Sequence, residues 1–263
     1  MSNQNDEKDP RDVSKLFADA HKQGALSTRS LSTLDVVDLG AQIQAGLGVA
    51  VDDVTASEVV LVTMMPDDSG SISAAGNVPA VRDGHNLVLD ALAASKQSGE
   101  VFVHTRYLNG HVLYPYTSLD QAVRMTDRNY AADKGTPLYD QTVVLLGTVL
   151  AKSQELSQAG VPVRTVTLII TDGADAGSQR ASARDVRSLV QDLLAQENHV
   201  VAALGISDGQ TDFRRVFTEM GIPDRWILTP GNSAGEIRRA FQVFSRSAVA
   251  VGAGAAALGG FAN

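Results

Sequence analysis

Apolar residues along this chain follow two different periods, and the change comes near residue 58. Val13, Leu16, Phe17 and Ala20 fall at helical spacing, as do Val36, Leu39, Ile43 and Leu47. Residues three and four apart share a helix face, so each set predicts an amphipathic helix. Asp9-Pro10 reads as the start of the first helix, while Gly24 and Gly48 read as the ends of the two. A Ser/Thr-rich stretch through Ser32 reads as a connector between them, and residues 1–8, polar and acidic, read as disordered. Residues 1–55 are therefore expected to be a disordered tail and a helical extension.

From Glu58 onward strands and helices alternate. The run Val59-Val60-Leu61-Val62-Thr63-Met64 is continuously apolar apart from Thr63, the pattern of a strand buried on both faces. Residues 77–97 predict a helix with Val81, His85, Val88 and Leu92 on one face. Residues 100–107 alternate, reach Asn109-Gly110 and restart at His111-Val112-Leu113-Tyr114. Asn-Gly between two such runs predicts a type I′ hairpin and hence one antiparallel strand. A strongly apolar helix follows over 138–157, then a strand over 163–170. Val186, Leu189, Val190, Leu193 and Leu194 mark the next helix, and 199–206 the next strand. Phe213, Val216, Phe217 and Met220 give a short helix, 226–228 a short strand, and Ile237, Ala240, Phe241 and Phe244 the closing helix.

The order predicts an α/β fold. Residues 56–246 should form a Rossmann-like, doubly wound, mostly parallel six-stranded sheet, with one antiparallel edge strand and helices on both faces. Residues 247–263 remain as a small-residue, apolar tail, too short and glycine-rich for a membrane span.

Composition narrows the function. With 263 residues, 44% of them hydrophobic, the chain has material for one main domain. Its 22 Lys+Arg against 30 Asp+Glu give a formal net charge of −8, which opposes binding to nucleic acid or anionic lipid. Cysteine is absent, so thiolate metal sites, thiol nucleophiles and disulfides are excluded. The polar start has no secretory pattern, and the expected location is cytoplasmic.

Three segments carry candidate chemistry: Asp67-Asp68-Ser69-Gly70-Ser71, Gly135-Thr136-Pro137-Leu138 and Thr171-Asp172-Gly173. The first and third follow predicted strands, and the second leads into the helix before the strand that ends at Asp172. In an open α/β sheet these places face one crevice beyond the carboxyl ends of the strands. The ligand types are all hard oxygens, which suits magnesium, with manganese or calcium as alternatives, far better than zinc. Taken singly, Asp67 and Asp172 also read as helix N-caps and Thr136-Pro137 as a helix start.

In these segments the chain resembles a von Willebrand factor type A domain with a complete metal-ion-dependent adhesion site. The Asp-x-Ser-x-Ser element is Asp67, Ser69 and Ser71, the threonine is Thr136, and the third-loop aspartate is Asp172. The resemblance covers about residues 57–246; Met65 and Pro66 lengthen the approach to Asp67 relative to many members. It implies direct ligation by the two serines and the threonine, carboxylates acting largely through water, and a coordination position open to a Glu or Asp of another protein. It further implies a non-catalytic adaptor, since intracellular bacterial-type members often serve AAA+ ATPases or stress-response kinase and phosphatase systems.

Two readings from other classes stay open at this level: a metal-dependent phosphoesterase or phosphotransferase using Asp67, and a structural subunit that self-associates through its helices or apolar tail. Against the first, position 69 is Ser where an aspartyl phosphotransferase has its acid. No phosphate loop or nucleophile elbow is present either. His21, His104, His111 and His199 show no mutual spacing that suggests a metal site or a base and read as ordinary surface or strand residues, while His85 reads as a core-edge residue.

Overall fold

The computed structural model describes residues 12–35, 39–96, 98–253 and 260–261. The proposed Asp9-Pro10 start, the tail over 1–8 and Val36 lie outside the described residues. Within them the chain forms α1 (Val13–Lys22), α2 (Thr28–Leu34), α3 (Leu39–Gln44), β1 (Val59–Met65), α4 (Gly70–Ala74), α5 (Val78–Ala93), β2 (Val101–Arg106) and β3 (Val112–Ser118). There follow α6 (Leu138–Gln158), β4 (Val163–Thr171), α7 (Ala183–Ala195), β5 (His199–Gly205), α8 (Phe213–Glu219), β6 (Ile227–Leu228) and α9 (Ala234–Gly252).

The six strands make one sheet in the order β3-β2-β1-β4-β5-β6, parallel throughout except for β3 against β2. This is the predicted sheet. All seven residues of β1 are buried, and they alternate between two apolar clusters: Val60, Val62 and Met64 in the larger, Val59 and Leu61 beside Tyr116 and Leu156 in the other. Side chains of a strand point alternately to its two faces, so a strand covered on both sides needs apolar residues at every position. Helices α5 and α9 pack on each other, as do α6 and α7.

Several local expectations change. Helix α1 has Asp12 as its N-cap, whose carboxylate accepts the Lys15 N–H at 3.0 Å. The Ser/Thr-rich stretch expected as a connector contains α2, capped by Ser27. The β2–β3 hairpin is present, but its turn is not type I′, which needs positive φ at both central residues. Gly110 has φ +94° while Asn109 does not enter that region, and the turn closes through Gly110 N–H to Tyr107 O at 2.8 Å. Helix α5 stops at Ala93 instead of reaching 97. The closing helix runs to Gly252, burying Ala248 and Val251, so the first residues of the apolar run are part of the core.

The extension is fastened to this core. Gly46 O accepts from Tyr116 N and Val49 N donates to Tyr116 O, at 2.9 and 2.8 Å, which covers part of the β3 edge. Buried Lys152 of α6 donates to Val49 O and to Glu155 at 2.8 Å.

Candidate metal and partner-binding crevice

Strands β1 and β4 lie side by side, with Met65 opposite Ile169, so the chain leaves both at the same edge of the sheet. Asp67 and Asp172 are thereby brought to one place from 105 positions apart. A third loop joins them through a parallel bridge between Ser69 and Lys134: Lys134 N donates to Asp68 O at 3.0 Å and Gly70 N to Lys134 O at 2.9 Å. That bridge carries Thr136, two residues on, to the crevice.

Four of the five expected residues form one hydrogen-bonded chain. Asp67 Oδ1 accepts from Ser69 N at 2.7 Å, Ser69 Oγ and Ser71 Oγ are 2.8 Å apart, and Ser71 Oγ donates to Asp172 Oδ1 at 2.6 Å. The fifth, Thr136, lies across from Gly173: a Cβ built on that glycine would be 3.9 Å from Thr136 Oγ1. Its carbonyl accepts from Leu138 N and Ala176 N, which ties its loop to the one that carries Asp172. The capping alternatives do not hold. The N-cap of α4 is Ser69, that of α6 is Pro137, and that of α7 is Ser182.

Asp67, Asp68, Ser69, Thr136 and Asp172 are buried, and Ser71 is exposed. Burial and the negative charges of Asp67 and Asp208 push the Asp172 carboxyl up to about 6, against the Ser71 hydrogen bond that lowers it. Asp68 is pushed up to about 7, first by burial and also by Asp67, although Asn109 N donates to its Oδ1 at 3.0 Å. The crevice thus concentrates negative charge in a desolvated place, where an ionised carboxylate is costly without a cation.

Other residues hold this arrangement that sequence patterns did not single out. Thr171 Oγ1 donates to Asp67 Oδ2 at 2.6 Å, and Tyr130 donates its hydroxyl to the Asp67 carbonyl. Thr171 sits inside Thr171-Asp172-Gly173, where a hydroxyl at a strand end beside the aspartate is a visible signal. Tyr130 lies in an irregular stretch with no period, and only the fold brings it to Asp67. Among the described residues no three His, Asp or Glu side chains gather as a metal cage, so any ion here relies on hydroxyls.

The fold places the chain among known structures. The pilus adhesin SpaC from Lactobacillus rhamnosus GG, in its open conformation, is similar with a TM-score of 0.52 and 14% identity, over 74% of this chain and 30% of that one. Proximal thread matrix protein 1 of the mussel byssus, in a form with a zinc-occupied MIDAS motif, aligns at TM-score 0.48 and 14% identity, over 73% and 46% of the two chains. The SpRpn10 VWA domain aligns at 0.48 and 9% identity, over 69% and 93%. The chain thus spans less than half the length of the adhesin and the mussel protein. No protein-family model and no curated protein sequence matches it. The sheet order, its antiparallel edge and the likeness to the adhesin give the von Willebrand A-type fold.

Proposed function

We propose that this chain is a non-catalytic interaction module, an adaptor whose crevice binds one divalent cation, magnesium by preference, and through it a carboxylate of a protein partner. The observation that carries the reading is the hydrogen-bonded chain from Asp67 through Ser69 and Ser71 to Asp172. Ligands at about 2.1 Å from an octahedral ion stand about 3.0 Å apart at neighbouring corners. The separation of 2.8 Å between the Ser69 and Ser71 hydroxyl oxygens comes close to that spacing, and Asp172, bonded to Ser71 at 2.6 Å, stands just behind them. Thr136, with no hydrogen bond from its hydroxyl among the described residues, supplies the remaining oxygen.

In this reading Ser69, Ser71 and Thr136 hold the ion directly, and Asp67 and Asp172 balance its charge. A bound divalent cation supplies a positive centre that accepts a carboxylate oxygen from outside. Asp67 is a poor nucleophile where it stands. It is fully buried, and its two oxygens are occupied by Ser69 N and Thr171 Oγ1, which weighs against phosphoryl transfer.

The test is capture of partners on immobilised protein in magnesium, in chelator, and in magnesium with excess acetate. Partners released by both chelator and acetate are expected. Capture indifferent to chelator would contradict the reading.

A further inference from the structure

A second surface with unmet chemistry lies away from the crevice, on the outer face of the α5–α9 pair. On α9, Arg239, Gln242, Arg246 and Val249 recur at three- and four-residue steps and so form one stripe, with Arg238 beside it. All three arginines are exposed, and among the described residues none makes an ion pair or a side-chain hydrogen bond. Elsewhere Arg29, Arg82, Arg124, Arg164, Arg214 and Arg215 each meet a carboxylate, and the other exposed arginines without an ion pair or side-chain hydrogen bond among the described residues, Arg128, Arg184 and Arg225, lie on separate segments. Unpaired cations gathered on one helix stand out in a chain of formal net charge −8.

Alongside the stripe runs a groove of about 600 Å³, with Leu87 and Ala91 of α5 on one wall and Ser245 and Val249 of α9 on the other. Two of the three acids on these helices are ion-paired. On α5, Asp83 is paired with Arg82 and Asp90 with Arg124. On α9, Glu236 accepts from the neutral Ser233 hydroxyl at 2.5 Å and keeps its charge, one against the three arginines. The net charge along the stripe is therefore positive, three arginines against Glu236.

We propose that this groove docks an acidic amphipathic helix of a protein partner, with the apolar side of that helix against Leu87 and Val249 and its acids against Arg239 and Arg246. Seven residues of α-helix span about 10 Å, so acids a heptad apart on the partner match the two arginines. An apolar groove that takes one face of a helix is a recurrent recognition mode. A groove with two walls fits a helix better than the flat face of a bilayer. Docking here uses no metal.

The test is fluorescence anisotropy with the full chain and a labelled synthetic helical peptide, apolar on one face and carrying Glu residues seven apart on its flank. Anionic vesicles of phosphatidylserine and the same peptide with Lys for Glu serve as comparisons. Saturable binding of the Glu peptide is expected, weaker at higher salt, unchanged by chelator or by Asp67→Asn. Binding should fall about ten-fold or more in Arg239→Glu/Arg246→Glu and be largely kept in Arg239→Lys/Arg246→Lys. Several results would overturn the proposal: no binding, equal binding of the Lys peptide, indifference to the charge reversal, a preference for the vesicles, or self-association in sedimentation that the reversal abolishes.

Discussion

Asp67 is held from three sides: Ser69 N and Thr171 Oγ1 take its carboxylate oxygens, and Tyr130 takes its carbonyl. A carboxylate so fixed cannot turn away from Ser69 and Ser71, and this gives Thr171 a positioning role. Thr171→Val keeps the shape of the side chain and removes the donor, leaving a buried carboxylate oxygen short of a partner. The expected cost is about 2 kcal/mol of stability, with cation affinity reduced about ten-fold or more, as for other residues that orient ligands. Urea denaturation and a manganese titration of the same variant check both; a change in stability with unaltered manganese affinity would limit Thr171 to a structural part.

Buried histidines set a second residue-scale expectation. His85 and His104 are fully buried, and His199, whose Nδ1 lies 2.7 Å from Thr165 Oγ1, is nearly so. Burial lowers His199 to about 4, His85 to about 4 and His104 to about 3. Between those values and the ordinary 6.5 only the unfolded chain takes up the proton, so their share of stability is present above about pH 6.5 and is lost as pH falls toward 4. Asp68 and Asp172 are raised and act with the opposite sign, so the histidine share is best read by difference. Between about pH 7.5 and pH 5, His199→Asn should lose about 1–2 kcal/mol less stability than the parent protein. Equal losses in chemical denaturation at the two pH values would refute this.

At the scale of elements, the N-terminal extension behaves as part of the fold. Gly48 shows why: with φ +57° it passes so close to β3 that a Cβ would stand 2.0 Å from the Tyr116 carbonyl oxygen. Gly48→Ala should therefore cost about 3 kcal/mol or more, from the left-handed backbone and the forced retreat of the strap from the edge strand. Gly76→Ala, at φ +71° with open space around it, should cost about 1 kcal/mol. Similar melting temperatures for the two variants would show that the strap is not held there.

The same scale explains what could be read from the sequence. Core strands were legible because burial on both faces demands unbroken apolar runs, as in β1, and long helices because of their apolar stripes. Helix α2 was not, because it docks on α7 through polar groups: Ser27 on Asp192 at 2.8 Å, Ser30 on Ser188 at 3.0 Å and Arg29 on Asp185 at 2.7 Å. Its apolar share is only Leu31 and Leu34, one turn apart, too short a run to show a helical period. The turn after β2 was misread in type because Asn109 spends its backbone N–H on Asp68, a contact only the tertiary fold supplies. The five candidate ligands were legible as three oxygen-rich segments at strand ends, whereas Tyr130 and the Ser69–Lys134 bridge depend on how the loops pack.

For the molecule as a whole, the fold sets the oxygen-lined crevice at the carboxyl ends of β1 and β4, and the arginine stripe on the outer face of α9. The account rests on a cation in the first of these. Isothermal titration of manganese into chelator-treated protein, beside Ser69→Ala and Asp67→Ala, tests it most directly. One ion per chain is predicted for the parent protein, with affinity weakened about a hundred-fold in each variant whose fold is intact by circular dichroism. Undiminished affinity in both variants, or no uptake by the parent protein, would contradict it.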